Sequence, residues 1–296
     1  MMRTILFDFG GTLDYPRHWL DRFVVHYRAA GIELTRAQLD PAFDHATRTG
    51  YGSTRMLSSY GLTELVDYLV HQQIDYLNRH GAPEVREIVD AASAGMRLPE
   101  IAGFITQSFV AESRIGLAAS RKSLKILSAR FHMGIVSNFY GNLQNILAEF
   151  DLASFFGVVA DSSQLGIFKP EPGIFNHAIK ALGAVPAETS MVGDSLEKDC
   201  AAARSLGLTT IWLRHARLPA VDIGERLDRG DPRAADDRRE SEGSLHLQGG
   251  QVVERSGQPT DDQIAGTEQT QFVPDFTADF TIDSLAELEH LRWWRS

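Results

Sequence analysis

From residue 120 to residue 213, short runs rich in β-branched and apolar side chains alternate with helix-length segments. This alternation restricts the chain more than any other feature. A helix over 120–130 leads to a strand at 132–137, a helix at 143–150 and a strand at 157–160. A helix at 172–182, a strand at 190–192, a helix at 197–206 and a strand at 209–213 follow. Strands and helices alternating at this length require right-handed βαβ units and a parallel sheet. An earlier run, 4–9, ends in Asp8-Phe9-Gly10-Gly11, a strand breaking into a glycine turn. Residues 278–282 read as a last strand and 284–294 as a closing helix. The expected fold is α/β, a Rossmann-like three-layer α/β/α core around a parallel sheet.

Two segments interrupt that rhythm. Residues 17–117 are helical in pattern almost throughout, with Trp19, Phe23, Val24 and Tyr27, and later Leu65, Leu69 and Ile74, recurring at helical spacing. No strand pattern breaks the stretch, so it reads as a separate helical domain inserted after the first strand. The core is then 1–16 together with 118–214 and 276–296. Ligands of open parallel sheets bind beyond the carboxyl ends of the strands, and a domain inserted there would cover the site as a lid. Residues 215–275 are dense in Asp, Arg, Gln, Gly and Ser and cannot bury a core. They are expected to form an exposed, largely disordered insertion. Within it, 245–248 and 251–254 flank Gly249-Gly250, a hairpin signature that would have to pack on something to persist.

Composition excludes several classes of function. A net charge of −10 over 296 residues opposes nonspecific nucleic-acid binding and attraction to anionic membranes. No apolar run approaches the length of a membrane span, and residues 1–9 lack the apolar stretch of a signal peptide. Cys200 is the one cysteine, which excludes an intrachain disulfide and fits a reducing cytoplasm. On a helix, it reads as a small buried hydrophobe.

Four strand ends carry polar groups: Asp8, Ser137-Asn138, Lys169 before Pro170, and Asp194 with Asp199. Each alone has a plainer reading. The aspartates could cap a helix, Ser137-Asn138 could be a turn, and Lys169 could be a surface lysine. Together and in this order, in FDFGGTLD (7–14), IVSNF (135–139), FKPEPGIF (168–175) and MVGDSLEKD (191–199), they resemble the haloacid dehalogenase-like superfamily. That family consists mostly of phosphatases and related phosphoryl-transfer enzymes. The helical block resembles its C1-type cap in placement and helicity.

The resemblance implies a Mg²⁺-dependent hydrolase acting on a small phosphorylated metabolite. Asp8 would be the nucleophile that forms an aspartyl-phosphate, splitting one hard displacement into two easier ones. Mg²⁺, a hard ion that prefers oxygen ligands, would take Asp8, the backbone carbonyl of Gly10, and Asp194. Asp199 would ligate it directly or through water. Ser137 and the backbone amide of Asn138 would bind the phosphoryl oxygens, and Lys169 would neutralise charge on the phosphoryl group and on Asp8.

Gly10 departs from the family pattern, which places an acid–base aspartate two residues after the nucleophile. Glycine keeps the carbonyl but has no proton to give. General acid–base catalysis typically contributes about 10²–10⁴-fold, a serious loss for alkyl phosphates and a milder one where the leaving group departs unprotonated. Asp14, Tyr15 and His18 follow at once as substitute acids, although a solvated loop is the simpler reading of each. His18, His26, His45 and Arg55 are further candidates to face the site.

Two branches of the family are disfavoured. Phosphonate cleavage needs a cap lysine, and residues 17–117 contain none. Haloacid dehalogenation proceeds without Mg²⁺ and without the aspartate pair kept here. The alternative to a phosphatase is a non-enzymatic phosphate-binding module that retains the metal site. On this reading, Gly10→Asp should raise activity on alkyl phosphates.

Overall fold

The structure is a computed structural model that describes residues 3–214 and 277–290. Residues 215–276, which include the expected insertion and the hairpin signature at 245–254, lie outside the described residues. The first strand, β1 (Thr4–Phe7), is buried at every position. It leads to α1 (Trp19–Ala29), α2 (Arg36–Gly52), α3 (Thr54–Leu57), α4 (Leu62–His80), α5 (Pro83–Ser93) and α6 (Leu98–Leu127). The alternation then runs β2 (His132–Ser137), α7 (Leu143–Glu149), β3 (Val158–Asp161), α8 (Ser162–Leu165), α9 (Pro172–Ala181) and β4 (Thr189–Gly193). A π turn over Leu196–Ala201 runs into α10 (Ala202–Ser205), followed by β5 (Thr209–Leu213) and β6 (Phe280–Ile282). In place of the closing helix expected over 284–294, a 3₁₀ turn covers Leu285–Glu289, and residues beyond 290 lie outside the described ones.

The six strands form one sheet in the order β3-β2-β1-β4-β5-β6, every pair parallel. A parallel sheet is buried on both faces, so its strands read as continuous apolar runs, as Thr4-Ile5-Leu6-Phe7 does. Successive side chains of β1 divide between two cores. Ile5 and Phe7 join the larger apolar cluster with Leu124, Ile146 and the helical block. Leu6 joins the other with Ile174, Phe175 and Ala203 of α9 and α10. These are the two outer layers of a three-layer α/β/α sandwich. The chain steps from β1 to β2 and β3 on one side, then crosses to β4 on the other. The crevice at that reversal is where open α/β sheets bind ligands.

Between β1 and β2, α2 packs on α4, α4 on α6, and α1 on α6. Thr35 starts α2 with a capping box, accepting from the Gln38 backbone while the Gln38 side chain takes the Thr35 N–H. The sequence reading ended the helical block at Leu117 and began a new helix at Ser120. The structure makes both part of the 30-residue α6, so the boundary at 117/118 falls inside a helix. Gly116, within this helix, marks a close approach. A Cβ there would lie 1.9 Å from the Asp14 carbonyl oxygen. Its absence lets α6 lie on the turn after β1, where Ser120 Oγ donates to the Leu13 carbonyl at 2.6 Å.

Candidate active site

Three adjacent strands deliver the site. The pairing sets Phe7 level with Ile135 of β2 and Val192 of β4, and the Asp8 N–H donates to the Val192 carbonyl at 2.9 Å. The carboxyl ends of β1, β2 and β4 therefore place Asp8, Ser137 and Asp194 side by side. Asp8 is 5% exposed. Its Oδ1 accepts from Ser137 Oγ at 2.9 Å and from Lys169 Nζ at 2.6 Å, and its Oδ2 accepts from Thr12 Oγ1 at 3.4 Å.

Lys169 Nζ also donates to Asp199 Oδ1 at 2.6 Å, so one buried ammonium bridges two carboxylates. Burial alone would lower the lysine's pKa, but the Asp199 and Asp8 charges overcome it and raise it. Asp199 lies in the π turn, where its Oδ2 accepts from the Ser195 N–H at 3.0 Å. Burial pushes the pKa of Asp199 up, to about 7. Lys169 opposes the shift, and the nearby Asp8 and Asp194 carboxylates add to it. Ser195, not Asp194, caps this turn by accepting from the Lys198 N–H, which removes the plain capping reading of Asp194.

Asp8, Asp194 and Asp199 each offer one oxygen, all within 4.8 Å of one another. Three carboxylates around one lysine leave the cluster short of positive charge. That donor set fits a hard divalent cation with oxygen ligands. Gly11, at φ +81°, adopts a left-handed conformation, and a Cβ on it would come within 2.4 Å of Asp194 Oδ2. The glycine turn after Asp8 is thus shaped around the second aspartate.

Asn138 acts on Lys169 through its side chain. Its Nδ2 donates to the Lys169 carbonyl at 3.0 Å, and its Oδ1 accepts from the Lys169 N–H at 2.7 Å. The loop carrying Asn138 is held by Asp161, which accepts from the N–H groups of Gly141, Leu143 and Ser163. Sequence reasoning missed Asp161, because its partners Gly141 and Leu143 lie 20 and 18 residues away.

The candidate substitute acids are each engaged by other residues. Asp14 is fully buried, accepting from the Gly11 N–H at 2.7 Å, from Trp19 Nε1 at 2.8 Å and from Arg22. His18 caps α1, its Nδ1 accepting from the Leu20 N–H at 3.2 Å, and the Tyr15 ring lies under the Arg22 guanidinium. His26 pairs with Glu112 at 3.1 Å, the His45 ring lies against Tyr76, and Arg55 is exposed. Tyr51 of α2, which sequence reasoning missed, does approach. Its ring lies 5.0 Å from Phe168, the neighbour of Lys169, and 5.1 Å from Tyr140. Burial raises the pKa of its phenol well above the ordinary value, and the Tyr140, Asp8 and Asp161 charges add to this. Such a group donates a hydrogen bond but keeps its proton. Cys200 is buried and its thiol is pushed up to about 12, as expected of an inert core residue.

A parallel sheet with a carboxylate cluster and a buried lysine at the carboxyl end of its central strands defines a hydrolase core of the haloacid dehalogenase type. The chain belongs to the haloacid dehalogenase-like hydrolases, whose family pattern it matches over residues 2–207. It is 26% identical over 237 residues to haloacid dehalogenase-like hydrolase domain-containing protein 3 of Danio rerio, covering 77% of this chain and 94% of that protein. It is 33% identical over 165 residues to a phosphoserine phosphatase of Thermus thermophilus, covering 54% and 55%. A glyceraldehyde 3-phosphate phosphatase of Pyrococcus furiosus is 37% identical over 73 residues, covering 25% and 30%. The chain thus spans about half of one phosphatase relative and less than a third of the other. L-2-haloacid dehalogenase of Xanthobacter autotrophicus shares the fold, with a TM-score of 0.50 at 17% identity over 100% of both chains. Among the described residues, no helix is long and apolar enough to cross a membrane.

Proposed function

We propose that this hydrolase is a Mg²⁺-dependent phosphatase that works through an aspartyl-phosphate at Asp8 on a small phosphorylated metabolite. The observation that carries this reading is the cluster of Asp8, Asp194 and Asp199 within 4.8 Å, with Lys169 bridging Asp8 and Asp199. A dehalogenase needs no such cation site, and the phosphatase relatives favour phosphoryl chemistry. Mg²⁺ held by Asp8, Asp194, Asp199 and the Gly10 carbonyl would screen the approach of an anionic phosphoryl group to an anionic carboxylate.

The chain's own residues supply the rest. Among the described residues, Ser137 and Lys169 hold Oδ1 of Asp8 while Oδ2 takes the long bond from Thr12, which favours Oδ2 as the attacking atom. Lys169 lies where charge gathers on the phosphoryl oxygens, and such preorganised donors supply much of enzymatic rate enhancement. Ser137 and the Asn138 amide complete the phosphoryl cradle. Residues 17–117 act as a cap, with Tyr51 reaching the mouth of the site.

Gly10 favours a second reading, a phosphate-binding module with an intact metal site and no turnover. Hydrolysis of p-nitrophenyl phosphate and acetyl phosphate with Mg²⁺ separates the two. Turnover that Asp8→Asn abolishes supports the phosphatase. Mg²⁺ and phosphate binding without any turnover supports the module.

A further inference from the structure

Position 10 is not simply vacant. A Cβ built on Gly10 meets Trp19 first at all three of its nearest atoms: Nε1 at 3.3 Å, Cδ1 at 3.7 Å and Cε2 at 3.8 Å. The indole therefore covers the face of the main chain from which the family's acid–base side chain would project. The 3.3 Å approach to Nε1 is tighter than ordinary contact, so Trp19 would have to give by a few tenths of an ångström for the Cβ alone, and by more for a carboxylate turned the same way.

Trp19 is held on several sides. It is 6% exposed, and the rings of Phe109, Phe139 and Phe23 meet it edge-on at 5.1, 5.9 and 6.4 Å. Its N–H donates to Asp14 Oδ2. Asp14 is in turn fixed by the Gly11 N–H and by Arg22, a fully buried guanidinium that also donates to Glu112, Ser113 and the Phe109 carbonyl. In an interior packed to crystal-like density, a ring held this firmly resists even a small displacement.

We propose that Gly10 and Trp19 form a coupled pair that keeps an acid–base side chain out of the reaction centre. The pair restricts the enzyme to phosphoryl groups carried on weakly basic oxygens: aryl, enol and acyl phosphates. This rests on the phosphatase reading above. It sets the chain apart from relatives named for phosphoserine and glyceraldehyde 3-phosphate, which are alkyl esters. In the first step an Asp8 oxygen bonds to phosphorus, and the bond from phosphorus to the leaving oxygen breaks. That oxygen departs with the electron pair as a stable anion, with no proton supplied by the site. In the second step water bonds to phosphorus, the Asp8 carboxylate leaves with its electron pair, and one water proton passes to solvent.

The test is a leaving-group series on the full chain with Mg²⁺: acetyl, p-nitrophenyl, phenyl and ethyl phosphate. It is read as kcat/KM, which reports leaving-group departure even where release of Asp8 limits kcat. Wild type should lose at least about 10²-fold from p-nitrophenyl to ethyl phosphate, the low end of what a general acid contributes. The sequence alone predicts that Gly10→Asp raises activity on alkyl phosphates. With Trp19 packed over that position, Gly10→Asp alone should instead leave the ratio standing, whereas Gly10→Asp with Trp19→Leu should narrow it about tenfold or more. A wild-type ratio near one overturns the proposal, as does full narrowing by Gly10→Asp alone. Should the double variant fail to fold, the wild-type series and Gly10→Asp still decide. Turnover that ignores the leaving group sinks this inference and spares the phosphatase. No turnover of any substrate, acetyl phosphate included, removes the phosphatase reading and the inference with it.

Discussion

Lys169 Nζ and Asp8 Oδ1 lie 2.6 Å apart although 161 residues separate them in sequence. The same ammonium holds Asp199, so Lys169 joins the first and last catalytic strands electrostatically. Removing one partner of a buried charge cluster leaves the others uncompensated. Lys169→Met should lower kcat/KM by about 10²–10³-fold, the loss typical of one transition-state donor. Lys169 is buried with its single Nζ 2.6 Å from both carboxylates, a geometry the larger planar guanidinium does not reproduce, so Lys169→Arg should not rescue it. Steady-state kinetics on acetyl phosphate checks both variants.

Asp199 makes the metal-free protein sensitive to pH. Its folded pKa of about 7 lies above the ordinary 3.8, so the folded state holds a proton that the unfolded chain has released. Stability therefore falls as pH rises between those two values. Denaturation in chelator at pH 4.5 and 7.5 should show the lower stability at 7.5, and Asp199→Asn should flatten the difference. Equal stability at both pH values in wild type would contradict this account.

Arg22 is buried among Asp14, Glu112 and the Phe109 ring, which lies 3.8 Å from its guanidinium carbon. Arg22→Met should cost about 3–5 kcal/mol, because it strands the Asp14 carboxylate in a fully buried position. Adding Asp14→Asn should recover part of that loss. Urea denaturation of the single and double variants measures both.

Gly11→Ala should weaken the metal site as well as the fold. The left-handed backbone costs an alanine roughly 1–2 kcal/mol, and its Cβ would push Asp194 Oδ2 aside. Calorimetric Mg²⁺ titration should show weaker binding than wild type; unchanged affinity would place Asp194 outside the metal set.

The sheet was legible because strand periodicity and length are local. His132–Ser137 and Thr209–Leu213 match their sequence bounds, and the strand-end groups of all four motifs meet in one cluster. What stayed hidden depends on contacts between distant residues. The continuity of α6 turns on Gly116 fitting against Asp14, which no local rule shows. Arg22 looks like a surface arginine until Glu112, ninety residues on, comes beside it. Gly10 reads in sequence as a missing acid; only packing shows Trp19 against the position its Cβ would take.

The central claim, that Asp8 is the phosphorylated nucleophile, is tested most directly by quenching the Mg²⁺-loaded chain during turnover of acetyl phosphate and mapping its peptides by mass. One added phosphoryl group on the peptide containing Asp8, absent from Asp8→Asn, is the expected result. Steady turnover with no phosphorylated Asp8, or wild-type turnover by Asp8→Asn, would contradict it.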